Sequence, residues 1–464
     1  MIHPLIETDA SLPATSVLRA RPSTLEATLS GLPAAAAAFA RAQGFKAKEG
    51  AVCLLPGEDG AIAAALFGVA EEDAARDPLH AGALPARLPE GLYALEGADE
   101  TDVLAWLMGA YSFDRYRKPA RPAARLIAPA GVDVAAISRI AEAVALGRDL
   151  VNTPANDMGP AEIEEAARAL AARFGAQITV TTGEALLAAG FPMIHAVGRA
   201  STRAPRLIDI RWGRKDAPKA TLVGKGVAFD TGGLNIKPDA SMALMKKDMG
   251  GAACALAAAA MVMGSGLDLR LRVLIPAVEN AISGDAFRPG DVLKSRKGLM
   301  VEIGNTDAEG RLILADALAL ADEEAPEIIA DFATLTGAAR VALGPDLPPF
   351  MTDDEALASD IARLSAKIAD PVWRLPLWGP YAQMLKSEVA DINHISGGSF
   401  AGAITAALFL RRFVAKAGAH VHFDVYGWTP NAKPGRPKGG EVQAARLVHA
   451  LLAERYPARG SAAA

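Results

Sequence analysis

Cysteine is almost missing from this chain: two residues, Cys53 and Cys254, in 464. So few thiols argue against a disulfide scaffold and suit a reducing compartment. Both read as small buried apolar residues rather than ligands. Long apolar runs are missing too. The stretch over residues 252–263 is among the longest and is too short to span a bilayer. The first ten residues, MIHPLIETDA, lack the basic start and apolar core of a signal peptide. Positive charge is not in excess: the net charge is −5, which gives no footprint for nucleic acid. These absences together predict a soluble, cytoplasmic protein with neither a membrane nor a nucleic-acid partner. H-E-x-x-H does not occur, so the single-zinc helix mechanism has no footing, and GxxxxGK[ST] does not occur either. The triplet Asp230-Thr231-Gly232 appears once, whereas an aspartic-protease dyad needs two such carboxylates.

What the chain does contain is concentrated in two segments. The first is Asn305-Thr306-Asp307-Ala308-Glu309-Gly310-Arg311-Leu312. Read as extended backbone, it points Asp307, Glu309 and Arg311 to one side, with Gly310 permitting close approach. Two anions beside a fixed cation suit a divalent metal next to a polarised substrate. The competing reading is a turn that caps a helix beginning near Leu312, since acidic residues favour helix starts.

The second segment runs from Thr221 to Gly251. It opens on a short apolar strand, continued by residues 227–229, and carries Lys225 between two glycines, Asp230 before Gly232-Gly233, Lys237 before Pro238, and Asp248 before Gly250-Gly251. Charged residues at strand ends, flanked by glycine, fit a site at the edge of an α/β sheet. Asp230, Asp248, Asp307 and Glu309 carry four negative charges, which two divalent cations would neutralise through hard oxygen ligands. Without cations, four converging carboxylates repel and some must hold protons. A lysine amine can join such a set if nearby cations lower its pKa; spacing alone leaves both Lys225 and Lys237 as candidates.

The rest of the sequence sets the organisation. A chain of this length has room for two or more domains. In the first part, apolar residues 51–55 read as a strand and Ala-rich residues 34–43 as a helix, so a small α/β domain is expected over residues 1–130. A Pro/Ala-rich passage over residues 118–131 marks its boundary. Residues 131–150 place Ile137, Ile140, Val144, Leu146 and Leu150 at helical spacing, as a linking helix would. Residues 151–464 alternate strand, loop and helix. The expected fold is therefore α/β with two domains: a smaller N-terminal α/β domain and a C-terminal catalytic domain whose central mixed sheet has helices on both faces. The tail at residues 460–464 should fray. His420, His422 and Asp424 alternate along one strand; we read the histidines as hydrogen-bonded core residues, and give His394 a structural role or one supporting the pocket.

These segments resemble the leucyl aminopeptidase family, the two-metal cytosolic aminopeptidases known as M17. The family signature NTDAEGR stands unchanged at residues 305–311, with VGKG at 223–226, FDTGG from 229, IKP at 236–238 and DMGGA from 248. The likeness also covers LVNTPANDMGP from 150, ATLTGA from 333, RLPLW from 374 and SGGSFAGAITAALFL from 396. It spans about residues 145–430. The resemblance implies that Lys225, Asp230, Asp248, Asp307 and Glu309 ligate two divalent ions, Mn2+ or Zn2+. It implies that Lys237 and Arg311 are catalytic, with a bicarbonate at Arg311, and that Met245, Thr334 and Gly337 line the pocket for the first side chain. It further implies release of N-terminal residues from peptides with a free N-terminus by a two-metal-activated hydroxide, in a homohexamer. Two departures bear on substrate choice. Gly304 stands where the family often has a longer apolar residue, and TPNAKPGRPKGGEVQ replaces a common loop after HFDVYGW. Preference for leucine is therefore left open. Two other classes are distinguishable by assay: a phosphoesterase-like two-metal hydrolase, which commonly recruits histidines that these motifs lack, and an added DNA-binding role, which the acidic balance opposes.

Overall fold

The computed structural model describes residues 1–72, 77–118 and 124–459. The tail at 460–464 and the middle of the Pro/Ala-rich passage, residues 119–123, lie outside these. The chain forms two compact units. One holds Met1–Ala145 with Asn431–Lys438, the other Leu146–Pro430 with Gly439–Ala464. The helix Val134–Asn152 runs through the point of division.

The first unit is built on a six-stranded sheet. Its order is Ile6–Glu7, Arg125–Ile127, Leu92–Leu95, Thr15–Ala20, Ile62–Gly68 and Val52–Pro56. These strands bury Ala20, Cys53, Leu55 and Leu66, against which Leu25 and Leu29 of one helix and Ala36, Ala37 and Ala40 of another pack. The alanine-rich helix Ala34–Ala42 gives small side chains that allow close approach to the sheet.

The second unit carries a nine-stranded mixed sheet. Its central strands Ala419–Asp424, Ile328–Ala333, Lys219–Gly224 and Arg270–Asn280 run parallel, and antiparallel strands complete both edges. Parallel strands covered on both faces are buried along their length and largely apolar; Ile328–Ala333 is buried at every position, with Asp331 its single polar residue. The helices divide into two packed sets. Gly250–Gly264 packs with Ala445–Arg455 and Pro160–Phe174, while Glu309–Glu323 packs with Pro192–Gly198 and Gly402–Arg411. Gly250–Gly264 is apolar all round, as a helix wholly enclosed by protein must be. Cys254 lies buried within it as a free thiol, and Cys53 is likewise free and buried.

One local expectation is corrected. Asp307, Glu309 and Arg311 do not lie on an extended strand. Thr306–Ala308 form a single 3-10 turn, and Glu309 opens the helix Glu309–Glu323. The cause is local. The Asn305 side chain accepts the Asp307 N–H at 2.8 Å, capping the turn, and Glu309 places negative charge at the positive end of the helix that follows. The capping reading describes this segment, and the two carboxylates converge through helical rather than alternating geometry.

Candidate metal centre

The parallel strand Lys219–Gly224 stops at Lys225, and a short strand, Gly226–Asp230, resumes beside Arg270–Asn280. This break sets Lys225 and Asp230 at the strand ends, inside the unit, where both are buried. Asp230 is fixed by donors on its Oδ1: the Gly232 N–H at 2.9 Å and the Asn280 side-chain amide at 2.8 Å. Gly232 has φ +87°, and a Cβ there would meet Asn235 O at 2.5 Å, so the turn after Asp230 requires glycine. Asp248 sits in the 3-10 segment Met245–Met249, and its Oδ1 accepts the Thr334 hydroxyl at 2.7 Å.

These segments bring the acidic residues together. Ligand oxygens of Asp230, Asp307 and Glu309 lie within 4.8 Å of one another. Asp248 joins them through Lys225, whose Nζ stands 2.8 Å from Asp248 Oδ2 and 3.1 Å from Glu309 Oε1 and donates to Thr334 O at 3.1 Å. Lys237 Nζ stands 2.8 Å from Asp230 Oδ2 and also contacts Asp307 Oδ1. Several of these ion pairs lack hydrogen-bond geometry. Asp248 Oδ2, Asp307 Oδ1 and both Glu309 oxygens are buried without a hydrogen-bond partner among the described residues.

The electrostatics follow from that crowding. Burial, then repulsion from Asp230, pushes the Glu309 carboxyl well above the usual range and raises that of Asp307. Burial opposes charge on Lys225 and Lys237, but the surrounding carboxylates outweigh it and raise both. The donor set fits divalent cations: hard carboxylate oxygens from four residues, orphaned oxygens among them, and an amine held in their midst.

Arg311 is buried in the first turn of the same helix. Its Nη1 donates to His394 O at 2.7 Å, while its Nε has no partner among the described residues. Burial pulls its guanidinium down to about 10, against the pull of Glu309 and Asp424. His394 serves as the strut. Its Nε2 lies 2.9 Å from Asn305 O, and its Nδ1 accepts the Gly304 N–H at 3.1 Å. Burial and nearby Arg311 lower its pKa to about 3, so the imidazole is neutral. Gly304 is the residue that lets this strut close, because a Cβ there would lie 2.6 Å from Ile395.

A cavity of about 440 Å³ opens on this cluster. Lys225, Asp230, Lys237, Asp248 and Asp307 line it, as do Met245, Thr334 and Gly337. Glu309 and Arg311 are not among its lining residues. No residue of the departing loop, 429–443, lines the cavity, and its middle, Asn431–Lys438, belongs to the first unit.

The other alternating histidines are core residues. His420 Nε2 and His422 Nδ1 both reach Asp331, at 2.8 and 2.6 Å, across adjacent parallel strands. Sequence reasoning missed this aspartate, which lies in an apolar run with no motif around it. It also missed Asn280, which holds Asp230, and it named Asp424 without its role: Asp424 Oδ1 accepts the N–H groups of Leu335 and Thr336 and so fixes the loop carrying Thr334. Each lies at or near a strand's C-terminal end, the one signal that was available.

The model of the cytosol aminopeptidase family catalytic domain matches residues 145–451, and that of the M17 aminopeptidase N-terminal domain matches residues 16–129. A probable cytosol aminopeptidase from Roseiflexus castenholzii is 44% identical over 360 residues, covering 74% of this chain and 73% of the relative. Among solved structures, the cytosol aminopeptidase from Coxiella burnetii aligns with TM-score 0.93 at 44% identity, over 98% of this chain and 100% of that one. The bottromycin maturation enzyme BotP, solved in complex with Mn, aligns with TM-score 0.84 at 33% identity, over 95% of this chain and 100% of that one.

Proposed function

This chain belongs to the cytosol aminopeptidase family, and from that premise we propose how its site works. The protein is a metal-dependent aminopeptidase, a peptide hydrolase of the M17 class. In our reading Lys225, Asp230, Asp248, Asp307 and Glu309 hold two divalent ions, Mn2+ or Zn2+. When bound, such ions polarise a carbonyl and lower the pKa of water by several units. The observation that carries this assignment is Glu309: a buried carboxylate with no hydrogen-bond donor among the described residues, its one ion-pair neighbour Lys225, packed against Asp230 and Asp307.

The chain's own residues supply the rest. Lys225 is the enclosed lysine, boxed in by Asp248, Glu309 and Thr334 O, and acts as the amine ligand. Lys237 lines the cavity with its side chain 12% exposed, within reach of a substrate carbonyl. Its ammonium would donate to the oxygen as negative charge develops there, stabilising the tetrahedral oxyanion. Arg311, with its Nε unsatisfied, would hold a bicarbonate beside the carboxylates. Met245, Thr334 and Gly337 would bound the first side chain. The peptide's free amine, in its neutral form, would bind at one of the ions these residues hold, which explains why the terminus must be unblocked. The same reading makes the protein a cytoplasmic homohexamer, in which exposed apolar side chains such as Val389 and Phe400 would be covered.

The test compares aminoacyl anilides, the same anilides N-acetylated, and a phosphate ester. Only the free-amine anilides should turn over. Equal rates on acetylated substrate, or turnover of the ester alone, would overturn the proposal.

A further inference from the structure

Resting on that aminopeptidase reading, we propose that the pocket for the first residue takes an acidic side chain, so that glutamyl and aspartyl termini are released in preference to leucyl ones. The cavity that reaches the carboxylate cluster is also lined by Lys247, Arg340 and Tyr426. Lys247 is 5% exposed, yet it has no carboxylate within ion-pair distance and no hydrogen-bond acceptor among the described residues. The neighbouring lysines differ. Lys225 and Lys237 each meet two carboxylates, and Lys246 donates to Asn152 O at 2.6 Å.

What Lys247 does meet is an aromatic face. Its Nζ lies 5.1 Å from the Tyr426 ring centroid, and the Arg340 guanidinium lies 4.9 Å from the same centroid. Arg340 is exposed and has no ion-pair partner among the described residues. Two cations thus share one ring at the wall of a substrate cavity. A cation–π contact offsets only part of the cost of burying an ammonium ion. The missing element is an anion. The metal-binding carboxylates do not supply it, because their charge is committed to the ions they hold. A carboxylate on the first side chain would complete the group, pairing with Lys247 and with the planar fork of Arg340. A leucyl side chain would cover the ammonium and leave it unpaired, which a polar pocket penalises.

A carboxylate could also come from the C-terminus of a dipeptide. Aminoacyl anilides have no such group, so they isolate the side chain. The experiment measures kcat/KM of the metal-loaded enzyme on glutamyl, aspartyl, glutaminyl and leucyl anilides, and on leucyl-glycine against leucyl-glycinamide. Glutamyl should exceed glutaminyl, its neutral isostere, by about tenfold or more. In Lys247→Met and Arg340→Met, each assayed on the same panel, that ratio should fall toward one. Glutaminyl or leucyl anilide matching glutamyl would overturn the proposal. So would a preference that appears only for leucyl-glycine over its amide, which would assign the cations to the C-terminus. If no anilide is cleaved at all, the aminopeptidase reading fails rather than the pocket.

Discussion

A lysine beside an acidic cluster can either complete the cluster or reach out of it, and its surroundings decide which. Lys225 is enclosed, with its nitrogen between Asp248, Glu309 and a carbonyl. Lys237 contacts Asp230 and Asp307 but keeps part of its side chain accessible. Spacing in the sequence did not separate the two, because the difference lies in what packs over each residue. The role proposed for Lys237 has a measurable size. Losing one oxyanion donor typically costs about 100- to 1000-fold in kcat. Lys237→Ala should show that loss while keeping the wild-type melting temperature to within a few degrees. Wild-type hydrolysis of leucyl anilide by this variant would remove Lys237 from the chemistry.

At the scale of elements, the site depends on how closely the helix Glu309–Glu323 approaches the break after Gly224. A Cβ on Gly310 would lie 2.4 Å from Lys225 Cε and 2.7 Å from its Nζ. Ordinarily Gly→Ala favours a helix by about 1 kcal/mol. Gly310→Ala should therefore lose at least about tenfold in turnover through displacement of Lys225, without matching loss of helical structure by circular dichroism. Unchanged turnover would show that Lys225 need not sit where it does. The motif's glycine was legible in the sequence as a point of close approach. The backbone that uses it was not: Asp307 and Glu309 read as alternating strand residues, whereas the Asn305 cap winds them into a helix start. Patterns of period two need several residues to declare themselves, and a cap needs one side chain.

The Asp331, His420 and His422 group couples two central strands and carries its own pH signature. Burial opposes charge on His422, but Asp331 outweighs it and raises the imidazole, while Asp331 is held below the usual carboxylate range. A raised histidine contributes stability that is complete below its ordinary value of about 6.5 and is lost as pH rises through the folded value. A lowered aspartate contributes stability that is present above about 4 and is lost on acidification. The destabilisation caused by His422→Gln should then be greatest between about pH 4 and 6.5 and should shrink in alkaline solution, as followed by thermal unfolding. An equal loss at about pH 9 would contradict the charged pairing.

At the scale of the whole molecule, the two-domain α/β architecture and the mixed sheet were readable from apolar strands alternating with helical stretches. The role of residues 431–438 was not. That segment follows the catalytic sheet in sequence but packs in the first unit, a long-range placement that no local pattern encodes. The central proposal concerns charge: Asp230, Asp248, Asp307 and Glu309 converge from three separate stretches, and we propose that they do so to hold cations. The direct measurement is bound-metal content per chain, followed together with peptide cleavage as a chelated sample is titrated with Mn2+ or Zn2+. Activity should vanish on stripping and return in step with filling to two ions per chain. Full cleavage by metal-free protein, or ions that return without activity, would contradict the account.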